Sequence, residues 1–138
     1  MTTRPLSDAD YRSLARFRYA LRLFQAFSEE AARGAGVTPA QHQLLLAIRG
    51  HDGPEPSTTE IAQRLQVQLH SATELVGRAE AKGLVQRVVD PGDARRAILR
   101  LTPAGERKLA ALSLAHRDEL RRFRREMNDV LQELDADG

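Results

Sequence analysis

Between residues 7 and 33, Leu14, Phe17, Leu21, Phe24 and Ala31 recur at steps of three, four, three and seven. That spacing draws one apolar stripe along a helix. Ser7 ahead of Asp8 and Asp10 supplies an N-cap with acids in the first turn, and Gly34 and Gly36 end the helix. Thr38-Pro39, an N-cap followed by proline at the first helical position, opens a second helix. Its apolar positions are Leu44, Leu45, Ala47 and Ile48, and it ends near Gly50. His51 to Pro56 is a loop rich in Gly and Pro. Ser57 or Thr58 then caps a short helix bearing Ile61, Ala62 and Leu65. After a brief turn through Gln66 and Val67, another helix runs from about Leu69 to Lys82, with Ala72, Leu75, Val76 and Ala79 on one side. Gly83 closes it.

The period then changes. Leu84 to Val89 is rich in β-branched residues, Asp90 to Ala94 reads as a turn, and Ala97 to Leu101 alternates again. Two short strands around a Pro-Gly turn predict a β-hairpin. Thr102-Pro103 restarts helix, which extends to about Asp135 with Leu109, Leu112, Leu120, Phe123, Met127, Leu131 and Leu134 as its apolar positions. The apolar phase shifts near Ala115 to Arg117, which leaves open a break into two helices there. Helix, helix, short helix, second helix, hairpin and long helix is the order of a winged helix-turn-helix. The fold class is mainly α with a small β-hairpin wing.

Composition narrows the function. Of 138 residues, 41% are hydrophobic, 29% charged and 4% aromatic, the balance of a globular protein rather than a disordered chain. The sequence has no cysteine, which excludes a disulfide scaffold, a thiolate nucleophile, a cysteine zinc site and a thiol redox sensor. The longest apolar run is the five residues Leu44 to Ile48, too short for a membrane span or a signal peptide. A cytoplasmic protein with no membrane partner is expected. His42, His51, His70 and His116 are scattered without ligand spacing, so no metal and no cofactor is expected. No phosphate-binding Gly loop, G-x-S-x-G or H-E-x-x-H is present, and an enzyme is not expected.

Net charge is only +2, but residues 87–125 carry eleven basic against five acidic side chains, and residues 126–138 carry five acids and no base. The basic block suggests a polyanion, although a solvated charged surface explains it equally well. Within residues 68–82, the side away from the apolar stripe holds Gln68, His70, Ser71, Thr73, Glu74 and Arg78. Hydroxyls and amides there can meet base edges or phosphates in a major groove, and they equally suit an ordinary wet helix face. The hairpin turn carries Asp93, Arg95 and Arg96, with Arg87 and Arg100 on the flanking strands. A tip arginine on a narrow projection suits the focused negative potential of a minor groove, and Asp93 is near enough to orient Arg95. The alternative is a solvated turn whose arginines protect an edge from aggregation.

Residues 57–102, STTEIAQRLQVQLHSATELVGRAEAKGLVQRVVDPGDARRAILRLT, resemble the MarR (multiple antibiotic resistance regulator) family of winged-helix regulators. The matching pieces are Thr59-Glu60-Ile61-Ala62 with Leu65, Ser71 and Thr73, Lys82-Gly83-Leu84-Val85 with Arg87, Asp93-Ala94-Arg95, and Leu101-Thr102 followed by Gly105. The resemblance implies a two-fold homodimer on a pseudo-palindromic DNA operator. It places Gln68, His70, Ser71, Thr73 and Arg78 at the major groove and Arg95 in the minor groove, steadied by Asp93. Thr58, Thr59, Arg87 and Arg96 complete the candidate DNA-binding set. Glu74 departs from the basic residue common among relatives, and Gly77 weakens its helix by about 1 kcal/mol relative to Ala.

All six aromatics, Tyr11, Phe17, Tyr19, Phe24, Phe27 and Phe123, lie in the first and last helices. A single winged domain cannot bury both stripes, so pairing of two chains is expected alongside intrachain packing. The expected division is an N-terminal dimerisation helix over 1–36, a DNA-binding winged helix-turn-helix over 37–102, and C-terminal dimerisation helices over 103–138. The resemblance also implies a small anionic aromatic effector, for which Arg16, Phe17, Tyr19, Phe24 and His42 are the candidate lining residues. The function expected is a homodimeric repressor relieved by such an effector. The alternative is a protein-binding winged-helix adaptor or anti-repressor that does not bind DNA.

Overall fold

The structure, a computed structural model, describes residues 4–136. Helix α1 covers Asp8–Gly34, α2 Pro39–Arg49, α3 Thr58–Leu65, α4 Leu69–Ala81 and α5 Pro103–Ala136, with strands β1 Val85–Asp90 and β2 Asp93–Leu101 between α4 and α5. This is the expected order and the expected fold class.

Four of the five helix starts, all but that of α4, follow from a side-chain cap. At α1, Asp10 N–H donates to Ser7 Oγ (3.1 Å) and Ser7 N–H donates back to the Asp10 carboxylate (2.9 Å). The same reciprocal box forms between Thr38 and Gln41 at α2 and between Ser57 and Glu60 at α3. Ser57, rather than Thr58, is the α3 cap. At α5, Gly105 N–H donates to Thr102 Oγ1 (3.0 Å). The turn from α3 to α4 closes at Gln66, which adopts the left-handed conformation (φ +56°) while Val67 N–H reaches back to the Ala62 carbonyl (3.0 Å).

Two expectations need correction. α5 is one continuous helix through Ala115 to Arg117, not two. The phase shift there marks a change of surroundings, since the chain divides into two compact units just before it, at Leu114. The hairpin turn is also tighter than expected. It consists of Pro91-Gly92 alone, with Asp90 paired to Asp93, and β2 begins at Asp93 rather than Ala97. Between the pairs Val89↔Ala97 and Asp90↔Asp93 the register shifts, so Ala94, Arg95 and Arg96 bulge from β2.

One unit spans Ala32–Ser113. Its core is apolar: Leu44, Leu45, Ile61, Ala72, Val76, Ala79 and Leu99 are fully buried. Leu84, Val85, Ile98, Leu109 and Leu112 join them. The α5 entry is fixed to the hairpin base, with Thr102 N–H on the Leu84 carbonyl (3.0 Å) and Thr102 Oγ1–H on the Gly83 carbonyl (2.5 Å). A Cβ on Gly105 would lie 2.1 Å from the Leu84 carbonyl oxygen, so this close approach admits only glycine.

The other unit joins the chain up to Ala31 with the chain from Leu114 onward, that is, most of α1 and the later part of α5. Phe24 stacks obliquely on Phe123 (centroids 5.3 Å apart), and Phe27 meets His116 edge-on (5.2 Å). His116 Nε2 and Ser28 Oγ lie 2.9 Å apart, and Ser13 donates to the Glu133 carboxylate (2.8 Å). Tyr11, Leu14, Tyr19, Leu23, Leu114, Leu120 and Leu131 stay exposed. Among the described residues, no helix is long and apolar enough to cross a membrane.

Candidate nucleic-acid interface

Within the Ala32–Ser113 unit, α4 buries Ala72, Val76 and Ala79 and leaves Gln68, His70, Ser71, Thr73, Glu74, Gly77 and Arg78 exposed. This is the face expected to read bases. Gln68 stands at the N-cap but makes no side-chain cap bond, which leaves its amide facing outward chemistry. Thr73 Oγ1–H is already donated to the Leu69 carbonyl at 2.9 Å. On α3, Thr59 is exposed and Thr58 half-buried.

Of the four arginines on the two wing strands, three are engaged by carboxylates. Arg87 pairs with Glu80 of α4 at 3.2 Å, joining β1 to the C-terminal end of the helix. Arg100 meets Glu55 through two contacts, the longer 2.9 Å. Arg96 turns back from the bulge onto Glu60, lies 3.7 Å from Asp90, and donates to the Glu55 carbonyl at 3.4 Å. Arg95 differs. Its side chain is 96% exposed, and among the described residues its one carboxylate neighbour is Asp93, at 3.8 Å. Asp93 also accepts the Arg95 backbone N–H at 3.0 Å, which fixes the direction in which Arg95 leaves the wing. The bulge thus separates two adjacent arginines: one props the wing and the other projects from it.

The support network was missed by sequence reasoning, although the Ser57-x-x-Glu60 spacing is a capping-box signature that could have pointed to Glu60. Glu60 caps α3, holds Arg96, and lies 3.2 Å from His51 Nε2. Burial pushes the Glu60 carboxyl upward, but the Ser57 N–H and hydroxyl, Arg96 and His51 outweigh it and hold the group below the usual carboxylate range. The loop before α3 is also bound to the wing, with Leu99 N–H on the Pro56 carbonyl (2.8 Å). Lys82 donates to the Gly36 carbonyl (3.2 Å) and to Gln41 Oε1 (3.1 Å), which fastens the end of α4 to the start of α2.

In the other unit, Arg16, Tyr19 and Phe24 line a cleft of about 210 Å³ with Leu23, Arg122 and Phe123. Glu119 and Glu126 line it too, so its charge is balanced rather than cationic. Phe17, half-buried, does not line it. His42 belongs to the Ala32–Ser113 unit, where α2 buries it. Arg16, Tyr19 and Phe24 are the effector candidates that share this cleft. Among the described residues, no group of three or more His, Asp or Glu is placed to hold a metal ion.

A short helix, a tight turn, a helix with a polar outer face and an arginine-tipped hairpin define a winged helix-turn-helix. The family model for the MarR family matches residues 35–96. The transcriptional regulator HosA of Escherichia coli O111:H- is 35% identical over 95 residues, 65% of this chain and 68% of HosA. The HTH-type transcriptional repressor NicR of Pseudomonas putida is 34% identical over 95 residues, 69% of this chain and 59% of NicR. Wild-type MarR of E. coli in its apo form superposes with a TM-score of 0.70 at 21% identity, over 99% of this chain and 95% of MarR. The Staphylococcus aureus MepR–DNA complex gives a TM-score of 0.66 at 22% identity, over 88% of this chain and 98% of MepR. The chain belongs to the MarR family. It spans about half the length of the first curated relatives it matches.

Proposed function

We propose that the protein is a sequence-specific DNA-binding transcriptional regulator, a homodimeric repressor released from its operator by a small ligand. The observation that carries the DNA reading is the wing. Three of its arginines are engaged by carboxylates while Arg95 alone projects, aimed by Asp93, beside a helix with an exposed polar face. Arg95 enters the minor groove, where negative potential is focused. Gln68, His70, Ser71, Thr73 and Arg78 face the major groove, and Thr58 and Thr59 approach the phosphates. Arg87 and Arg96 act through the position of the wing. MepR and MarR, whose fold this chain shares, have been solved with DNA, and MdtR and NicR are named repressors.

Two copies pair through the exposed apolar residues of α1 and α5, Tyr11, Leu14, Leu23, Leu120 and Leu131 among them. The pair presents two α4 helices to half-sites about 34 Å apart, one turn of duplex. The Arg16–Tyr19–Phe24 cleft accepts the effector, which acts only through a difference in affinity between the bound and released arrangements. Its balanced charge favours a planar ligand without a strong net charge over the anion first expected.

The test is selection of bound duplexes from a random pool by the purified protein, followed by titration at several salt concentrations. A two-fold symmetric site whose affinity falls steeply with salt supports the proposal. No duplex bound even in dilute buffer refutes it and favours the protein-binding adaptor, a reading kept in view by the exposed Glu74 carboxylate on α4.

A further inference from the structure

Two features on α4 carry chemistry that a general affinity for DNA does not need. The first is a pair of neighbouring acceptors. Thr73 has given its only hydroxyl proton to the Leu69 carbonyl at 2.9 Å, so outward it offers lone pairs alone. Glu74, next in sequence, is an exposed carboxylate and also offers only lone pairs. It makes no ion pair among the described residues, not even with Arg78 one turn on. With about 100° between successive residues, Glu74 falls with His70 and Gly77 at the centre of the face opposite Ala72, Val76 and Ala79.

The second feature is Gly77. It costs its helix about 1 kcal/mol relative to alanine. Nothing inside the fold requires it, since its φ is not positive and a Cβ there would meet no atom within 4 Å. A missing side chain one turn beyond Glu74 lets the helix backbone settle deeper against a surface. That clearance brings the short Glu74 side chain within reach of a groove floor.

We propose that Glu74 is a specificity-determining residue that reads the exocyclic amino group of a cytosine in each operator half-site, with Thr73 as a second acceptor beside it. This rests on the DNA-binding reading above. Both residues present acceptors, so the base edge must present a donor. Guanine shows O6 and N7 in the major groove and thymine shows O4, all acceptors that repel a carboxylate. Adenine offers an N6 amine but sets the N7 lone pair beside it. Cytosine offers its N4 amine with no adjacent acceptor on that edge. The same carboxylate repels the phosphates, so it lowers affinity for every sequence and recovers it only where cytosine stands.

Selection from random duplexes by the full-length protein, by Glu74→Ala and by Glu74→Gln tests this. The side chain is exposed, so both variants fold, as circular dichroism checks. Wild type should select cytosine at one symmetric position per half-site and lose about tenfold in affinity when that pair is changed. Glu74→Ala should lose the preference there alone while binding unrelated duplexes more tightly. Glu74→Gln, which can donate and accept side by side, should move the preference to adenine. Thr73→Val should weaken the cytosine preference without creating another. If both Glu74 variants select the wild-type site unchanged at every position, the inference is overturned and the DNA-binding reading stands. If wild type selects no duplex, the reading beneath it falls instead.

Discussion

The two units of this chain solve the burial problem to different degrees. The Ala32–Ser113 unit hides most of its large aliphatic side chains, with Leu44, Leu45, Ile61 and Leu99 fully removed from solvent, and leaves Leu46, Val67, Leu69 and Val89 exposed. The α1/α5 unit shows its apolar side chains to solvent, with Tyr19 63%, Leu114 65% and Leu131 55% exposed, and holds itself together partly through buried polar groups such as Ser13 and His116. A unit of the first kind is stable on its own hydrophobic burial. The second kind is completed by something that covers it. On the proposed function, the unit that reads bases is the one with the buried core, and the surface that would set the spacing of two copies is the exposed apolar face of α1 and α5.

The sharpest way to break the first unit is at Gly105. Alanine there would put a methyl 2.1 Å from the Leu84 carbonyl oxygen. That carbonyl cannot retreat without losing the Thr102 N–H bond. Gly105→Ala should destabilise the protein by about 3 kcal/mol, the upper part of the overpacking range, and lower its melting temperature by several degrees or more. Gly77→Ala should do the reverse, raising stability by about 1 kcal/mol, because nothing fills the space around it. Equal effects from the two glycines in thermal unfolding would contradict this account of the α5 entry.

If two copies pair as proposed, the second unit breaks through assembly. Leu120→Glu with Leu131→Glu places charge on the exposed apolar face. Self-association measured by sedimentation should weaken at least tenfold, since each buried unpaired charge costs several kcal/mol. The winged unit should keep its fold. Unchanged sedimentation would remove these positions from the interface.

The wing allows a finer comparison, Arg95 against Arg96. Arg95→Ala should weaken binding to most duplexes by about tenfold and reduce the salt slope by about one charge. Arg96→Ala should cost about 1 kcal/mol of stability by leaving Glu60 without its guanidinium, and should keep the salt slope. A slope lowered equally by both would place Arg96 on the phosphates.

These two arginines also show how far the sequence could be read. Helix starts were legible because a cap is a local event: Ser7 with Asp10, Thr38 with Gln41 and Ser57 with Glu60 lie three residues apart. The polar face of α4 followed from periodicity alone. The fate of Arg96 did not, because its partner Glu60 lies 36 residues away and the bulge that turns it inward depends on strand register. Gly105 could be noticed as part of a motif, but its reason is the Leu84 carbonyl, 21 positions earlier in the chain. The continuity of α5 was not legible for a related reason. A phase shift in one helix signals new surroundings as readily as a break.

The smallest expected effect separates the units by titration. The Ser13 hydroxyl, and after it the Arg16 guanidinium, hold the Glu133 carboxyl below the usual carboxylate range in the α1/α5 unit. Glu60 is held low in the winged unit by Ser57, Arg96 and His51 against the pull of burial. A carboxyl lowered in the folded state adds stability above its unfolded pKa of about 4.3, and that contribution is lost as pH falls through the folded value. Both units should therefore weaken in acid, each through its own group. Ser13→Ala removes the largest single influence on Glu133, so the Glu133 titration followed by NMR should move up toward the usual range. The Glu60 titration should stay where it is, because its partners Ser57, Arg96 and His51 are untouched. Movement of both carboxyls together would mean that the two units share one electrostatic network, and the contrast between them would have to be redrawn.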